Sequence, residues 1–277
     1  MHSDLDTVDY SRYRTIVISR PVAALPSVVL LELDRPAKYN ATNARMHREA
    51  SQIWSDLDRD PSVSVIVLTG RGKAFCAGGD LDMITDFRAS SDALFAMYEE
   101  ARSLVLGMVG CSKIIISAIN GVAVGAGCAL ALMADITIAA ENARFGDGHT
   151  RLGVAAGDHA VAIWPLLCGM AKAKYYTLTG EMLPAKEAER LGMVSKLVPE
   201  GESLAEALRV AEALARGPQH ALRHTKRALN VWLRQNGVPA FETSCALEML
   251  DFQHRDVDEG LAALQKKRPP VFPSSKL

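Results

Sequence analysis

Three nearly continuous apolar runs, each leading into a glycine-bearing turn, constrain this chain more than any other feature. Residues 63–68 (VSVIVL), 113–119 (KIIISAI) and 135–139 (DITIA) lack the alternation of a sheet with one wet face. They predict strands covered on both faces. Helical periodicity over 92–109 and 127–133 fills the gaps between them, so strand, turn and helix alternate in an α/β pattern. Two earlier runs, 15–19 and 28–33, separated by Pro21 and Pro26, predict an opening hairpin. Asn43 is placed to cap a helix with Met46, Ala50, Ile53, Trp54 and Leu57 on its apolar face, and Asp60-Pro61 ends it. From Asp158 onward the strand signal nearly vanishes, and 160–167, 171–178, 204–216, 219–235, 241–252 and 256–267 read as helices. The division falls near Leu197, giving a core over 1–197 and a helical region over 198–277. The partly apolar C-terminal helices are expected to bury their faces against another subunit.

Charge narrows the partners. Lys+Arg (31) and Asp+Glu (32) nearly cancel, so no global field draws the chain to nucleic acid or to anionic lipid. The basic cluster His220, Arg223, His224, Lys226 and Arg227 has no aromatic interleaving and reads as a solvated helix face. Cys76, Cys111, Cys128, Cys168 and Cys245 are odd in number and without a CxxC pair, which predicts free thiols in a reducing compartment and no metal site. The acidic start, Met1 to Asp6, is unlike a secretory signal, and the apolar stretch 121–134 is too short and glycine-rich to span a bilayer. A cytoplasmic protein is expected. Ser275-Lys276-Leu277 would act as a peroxisomal address only in a eukaryote.

Two glycine-rich turns are candidates for chemistry. Residues 73–81 (KAFCAGGDL) follow the strand at 63–68, and 120–128 (NGVAVGAGC) follow the strand at 113–119 and open a helix. Glycine allows close ligand approach, and free N–H groups at a helix start form a local positive pole. Two such turns can converge on one oxygen. There is no GxxxxGK[ST], and no GxGxxG with an acidic residue about 20 positions on, so a nucleotide-phosphate role is excluded.

These motifs resemble the crotonase (enoyl-CoA hydratase/isomerase) superfamily along nearly the whole chain. The resemblance rests on Arg35-Pro36 with Asn40-Ala41, FCAGGDL at 75–81, INGVAVGAGCALALMADITIA at 119–139, Arg144-Phe145-Gly146, LTG at 178–180, and Glu259-Gly260 with Lys267-Arg268. It implies a spiral of ββα turns with a C-terminal helical trimerisation region, in trimers or paired trimers. It also implies a CoA-thioester substrate, with CoA entering as part of the substrate and no permanently bound cofactor. The carbonyl oxygen would sit between the backbone N–H groups of Gly79 and Ala126. Such preorganised donors typically contribute ~3–4 kcal/mol each to a transition state that builds charge on oxygen. Ala77, Asp80, Lys38 and Lys267 fall at positions that the resemblance associates with substrate and CoA. The alternatives are that Asp80 serves loop amides and that Lys38 is solvated surface charge.

The sequence departs from the hydratases of that family where their two glutamates stand, carrying Ala129 and His149 instead. A two-glutamate mechanism is therefore excluded. His149 with Asp158, nine positions on, resembles the pair in 6-oxocamphor hydrolase and related β-diketone hydrolases, which cleave C–C bonds with water. An imidazole can give or take a proton near neutral pH, and a carboxylate behind it would fix its tautomer. Asp158 is equally placed to cap the helix that follows, and His47 is either a further active-site histidine or a packed helix residue. Three functions stay open: an acyl-CoA hydratase or isomerase, a β-dicarbonyl C–C hydrolase, and a non-catalytic binding protein that kept the fold.

Overall fold

The computed structural model describes residues 8–276. The acidic N-terminal segment and Leu277 of the C-terminal tripeptide lie outside the described residues. Strand β1 (Ile16–Ser19) pairs antiparallel with β2 (Val28–Leu33), the opening hairpin. Helix α1 (Ala44–Arg59) starts where Asn43 accepts a hydrogen bond from Met46 N, and it leads to β3 (Val65–Gly70). Next come α2 (Leu81–Phe87), α3 (Ser91–Gly110), β4 (Ile114–Ile119), the short β5 (Ala123–Val124), α4 (Ala126–Leu132) and β6 (Ile136–Ala140). Strand β7 (Arg144–Gly146), α5 (His149–Leu152), α6 (Ala160–Thr179), β8 (Leu183–Pro184), α7 (Ala185–Arg190) and β9 (Lys196–Val198) complete the strand-bearing part. The chain ends in α8 (Ser203–Ala215), α9 (Gln219–Trp232), α10 (Val238–Asp251) and α11 (Asp256–Gln265).

The main sheet runs β1-β2-β3-β4-β6-β9, parallel from β2 onward, and β5-β7-β8 form a smaller sheet beside it. Each turn of the spiral lays one more strand against the last. Alternate residues of the parallel strands serve two cores, which is why their runs are continuously apolar. Val29, Leu31, Ile66, Leu68 and Ile115 face α1, α3 and α4, with Trp54 and Phe75 fully buried among them. Val28, Leu30, Val65, Val67, Ile114 and Ile116 face Ala207 and Ala211 of α8.

Two features differ from the sequence expectation. Strands persist after Asp158, because β8 and β9 are only two and three residues long and carry too little pattern to register. The apolar face of α8 packs on this chain's own sheet rather than on a second subunit, since without it one face of β2, β3, β4 and β6 would be bare. Leu197 itself lies inside β9, hydrogen-bonded to β6. Large apolar side chains do remain exposed further on, among them Leu229 and Trp232 of α9 and Leu250 of α10. All five cysteines are free. No described helix is long and apolar enough to cross a membrane.

Candidate active site

The two glycine-rich turns are hydrogen-bonded to each other. Phe75 N and Cys76 N donate to Val122 O at 3.1 and 3.0 Å, and Val124 N donates back to Cys76 O at 3.0 Å. Side chains would prevent this approach: a β-carbon on Gly127 would sit 2.3 Å from Cys76 O. Gly78, at φ +95°, crosses the backbone of Val124, where a β-carbon would lie 3.1 Å from its oxygen. The consequence is that Gly79 and Ala126 line one cavity of about 460 Å³. Neither backbone N–H has a protein acceptor among the described residues. The Gly79 neighbours hydrogen-bond through Thr42, with Thr42 N donating to Gly78 O and Asp80 N donating to Thr42 O, which leaves the Gly79 amide between them free. Ala126 is the first residue of α4, where an amide has no partner within its own helix.

His149 opens α5 and lines the same cavity. Its Nδ1 is 2.5 Å from Asp147 Oδ1, and its Nε2 is 3.6 Å from Asp158 Oδ2 and 3.4 Å from Glu248 Oε1. The carboxylate behind the ring is thus Asp147, at the end of β7, and not Asp158 as the sequence suggested. One glycine between Asp147 and His149 turns the chain so that the two side chains meet, whereas Asp158 reaches the cavity from the loop before α6. Asp158 makes no capping bond to α6. Its Oδ1 instead accepts from Nδ1 of the fully buried His159, whose Nε2 accepts from Trp164 Nε1 at 3.1 Å. The indole can only donate, so the His159 proton sits on Nδ1 and points at Asp158.

Burial opposes charge on His149, yet the carboxylates of Asp147, Asp158 and Glu248 overcome that and hold its pKa well above the ordinary imidazole value. Burial likewise favours neutral Asp158, but His159 and His149 outweigh it and hold Asp158 below the usual carboxylate range. Glu248, from the middle of α10, is pushed up to about 8, chiefly by burial and also by the neighbouring aspartates, with His149 pulling the other way. These directions favour charge on His149 and Asp158 and make Glu248 the carboxyl of the cluster that holds a proton most readily. Groups driven apart in this way can act as acid and base together. The turn and the cluster adjoin, since a β-carbon on Gly125 would lie 3.6 Å from Asp158 Oδ2 and 3.7 Å from His149 Cε1.

The remaining sequence candidates divide. Ala77 and His47 line the same cavity, and His47 Nδ1 lies 2.7 Å from Glu100 Oε2. Asp80 does not line it; it caps α2 by accepting from Asp82 N and pairs with Arg35 at 3.0 Å. Lys38 and Lys267 are exposed and also lie outside its lining. Ala129 lies on the buried face of α4 and is not part of the cavity lining. Glu248 escaped sequence reasoning; its only signal was a lone glutamate in the apolar stretch Cys245 to Leu250. Asp147, His149 and Asp158 bring ligand-type atoms within 4.8 Å of one another. With Nδ1 of His149 held by Asp147, its Nε2 is the ring nitrogen that faces Asp158 and Glu248.

An α/β spiral whose paired glycine turns present two free amides to an acid/base cluster defines the class. Residues 24–275 match the family model described as enoyl-CoA hydratase/isomerase, and the chain belongs to that family. The 2,3-dehydroadipyl-CoA hydratase of Escherichia coli is 34% identical over 88% of this chain and 94% of its own length. An enoyl-CoA hydratase/isomerase structure from Mycobacterium paratuberculosis superposes with a TM-score of 0.87 at 31% identity, over 91% of this chain and 99% of the other. A β-diketone hydrolase from Anabaena, bound to (S)-3-oxocyclohexyl acetic acid, superposes at 0.80 with 26% identity, over 88% and 96% of the two chains.

Proposed function

We propose that the protein adds water to, or shifts the double bond of, an acyl-CoA thioester through an enolate held by the amides of Gly79 and Ala126. One observation carries this: two unpartnered amides and the His149 cluster share one cavity. In hydration, ionised Asp158 takes a proton from water as its oxygen bonds to C3 of the enoyl group. The displaced electron pair moves to the thioester oxygen, where the two amides stabilise it. The His149 imidazolium then returns a proton to C2, in place of the family's absent second glutamate. The relatives named for CoA thioesters support this substrate class. The exposed apolar side chains of α9 and α10 fit the trimer that the resemblance implies.

A second reading is favoured by the carboxylates around His149 and by the likeness to the β-diketone hydrolase. There Asp158 takes a proton from water as its oxygen bonds to one carbonyl carbon of a β-dicarbonyl compound, and the tetrahedral intermediate collapses to a carboxylic acid as the C–C bond breaks. The departing carbon leaves as an enolate in the same amide hole and takes its proton from His149. Titration with CoA and crotonyl-CoA, followed by product analysis of that mixture and of a β-diketone panel, separates the two. Binding of CoA ligands with hydration of crotonyl-CoA, lowered ~10²-fold by His149→Ala, is the expected result. Absence of CoA binding together with cleavage of a diketone refutes the thioester reading.

A further inference from the structure

The cavity contains one strong cation that this chemistry does not use. Arg151 follows His149 by two residues on α5 and is, among the described residues, the only arginine or lysine in the lining. Three carboxylates line the same cavity, yet they converge on His149. The Arg151 guanidinium has no hydrogen-bond or ion-pair partner among the described residues, whereas His149 and Thr150 beside it are both engaged.

The arginine is nonetheless seated. Its stem crosses the bare face of Gly180, where a β-carbon would lie 3.0 Å from Cγ, 2.9 Å from Nε and 3.3 Å from Cδ. Gly180 ends α6 in the left-handed conformation at φ +63°, so the residue that closes the helix also leaves the groove in which Arg151 lies. The rest of the lining beyond the turns and the acid/base cluster is largely apolar, including Met83, Phe87, Leu152 and Phe252. A plain alkyl chain would need no guanidinium there.

We propose that Arg151 is the receptor for a carboxylate carried by the acyl part of the substrate, so that the enzyme takes acyl groups ending in an acid. A planar fork of N–H donors matches a carboxylate two bonds at a time. The phosphates of CoA share the oxyanion chemistry. The carboxylate is favoured because Arg151 lines the same cavity as the reacting groups, while the exposed lysines 38 and 267 stand outside it. The inference rests on the proposed enolate chemistry for the placement of the substrate, but its test reads binding alone.

The test is calorimetric titration of the wild-type protein, Arg151→Leu and Arg151→Lys with glutaryl-CoA, pentanoyl-CoA and CoA. Arg151 is exposed, and unchanged thermal melting verifies that the variants fold. The wild type is expected to prefer glutaryl-CoA over pentanoyl-CoA by about tenfold, the usual worth of a hydrogen bond to a charged group. Arg151→Leu should erase that preference and leave pentanoyl-CoA and CoA affinities within about twofold, with Arg151→Lys in between. A wild type without the preference, a preference that survives Arg151→Leu, or an equal loss for all three ligands would overturn the proposal. The last outcome would assign the arginine to the phosphates. If CoA ligands fail to bind at all, the thioester reading falls, and the arginine is read with 4-oxocyclohexanecarboxylate against its carboxamide. Preference for the acid, lost in Arg151→Leu, then upholds the proposal, and no preference refutes it.

Discussion

Replacing Asp147 by Asn isolates the contact that gives His149 its charge. The side chain keeps its shape and can still accept from Nδ1, so geometry survives while the anion is removed. Asp147 is 1% exposed, and its Oδ1 lies 2.5 Å from the ring. With charge centres about 4 Å apart and an effective dielectric constant of about 20, the lost attraction is ~4 kcal/mol, which lowers the His149 pKa from its raised position. His149 in the folded protein titrates well above its ordinary 6.5, so the stability it contributes is fully present below that pH and lost as pH rises through the folded value. The variant should therefore lose most thermal stability between about pH 5 and 6.5 and converge on the wild type in strong alkali. The limb of the kcat/KM profile that reports His149 should move acidward, as should its ring resonances in a pH titration by NMR. A limb and a resonance that stay in place would show that Asp147 does not set the imidazole's charge.

Other outcomes follow from the same geometry. Ala126→Pro removes one of the two free amides at the first position of α4, where a helix tolerates proline, so kcat should fall ~10²–10³-fold with little change in melting temperature. Gly127→Ala places a β-carbon 2.3 Å from Cys76 O and must push the two turns apart, so denaturant titration should show a loss of about 2 kcal/mol or more, with activity lost too. Glu248 titrates at about 8 when folded against 4.5 otherwise, so the stability tied to its proton is lost as pH rises from 4.5 through 8. Glu248→Gln should gain on the wild type in melting temperature above pH 8, and the gain should vanish toward pH 4.5.

The parallel strands and both turns were legible in the sequence because each signal is local. Buried strands need unbroken apolar runs, and close-packed turns need glycine at fixed positions, so residues 63–68 and 113–119 and the glycines after them announce themselves. The cap at Asn43 was equally readable. Strands β8 and β9 were not, since pairs and triplets of residues adopt extended structure only because a neighbouring strand offers hydrogen bonds.

The acid/base cluster shows where local signals stop. Sequence alone determined that an α/β chain carries two glycine-rich turns and, beyond them, a histidine with aspartates close by along the chain. Only the tertiary structure decided which carboxylates serve that histidine. Asp147 takes Nδ1 through a two-residue turn, Asp158 divides itself between His159 and Nε2, and Glu248 arrives from α10, almost a hundred positions away. It also decided that Arg151 lies over Gly180 without a carboxylate partner among the described residues. Charge interactions depend on distance and burial in three dimensions, and neither is encoded in spacing along the chain.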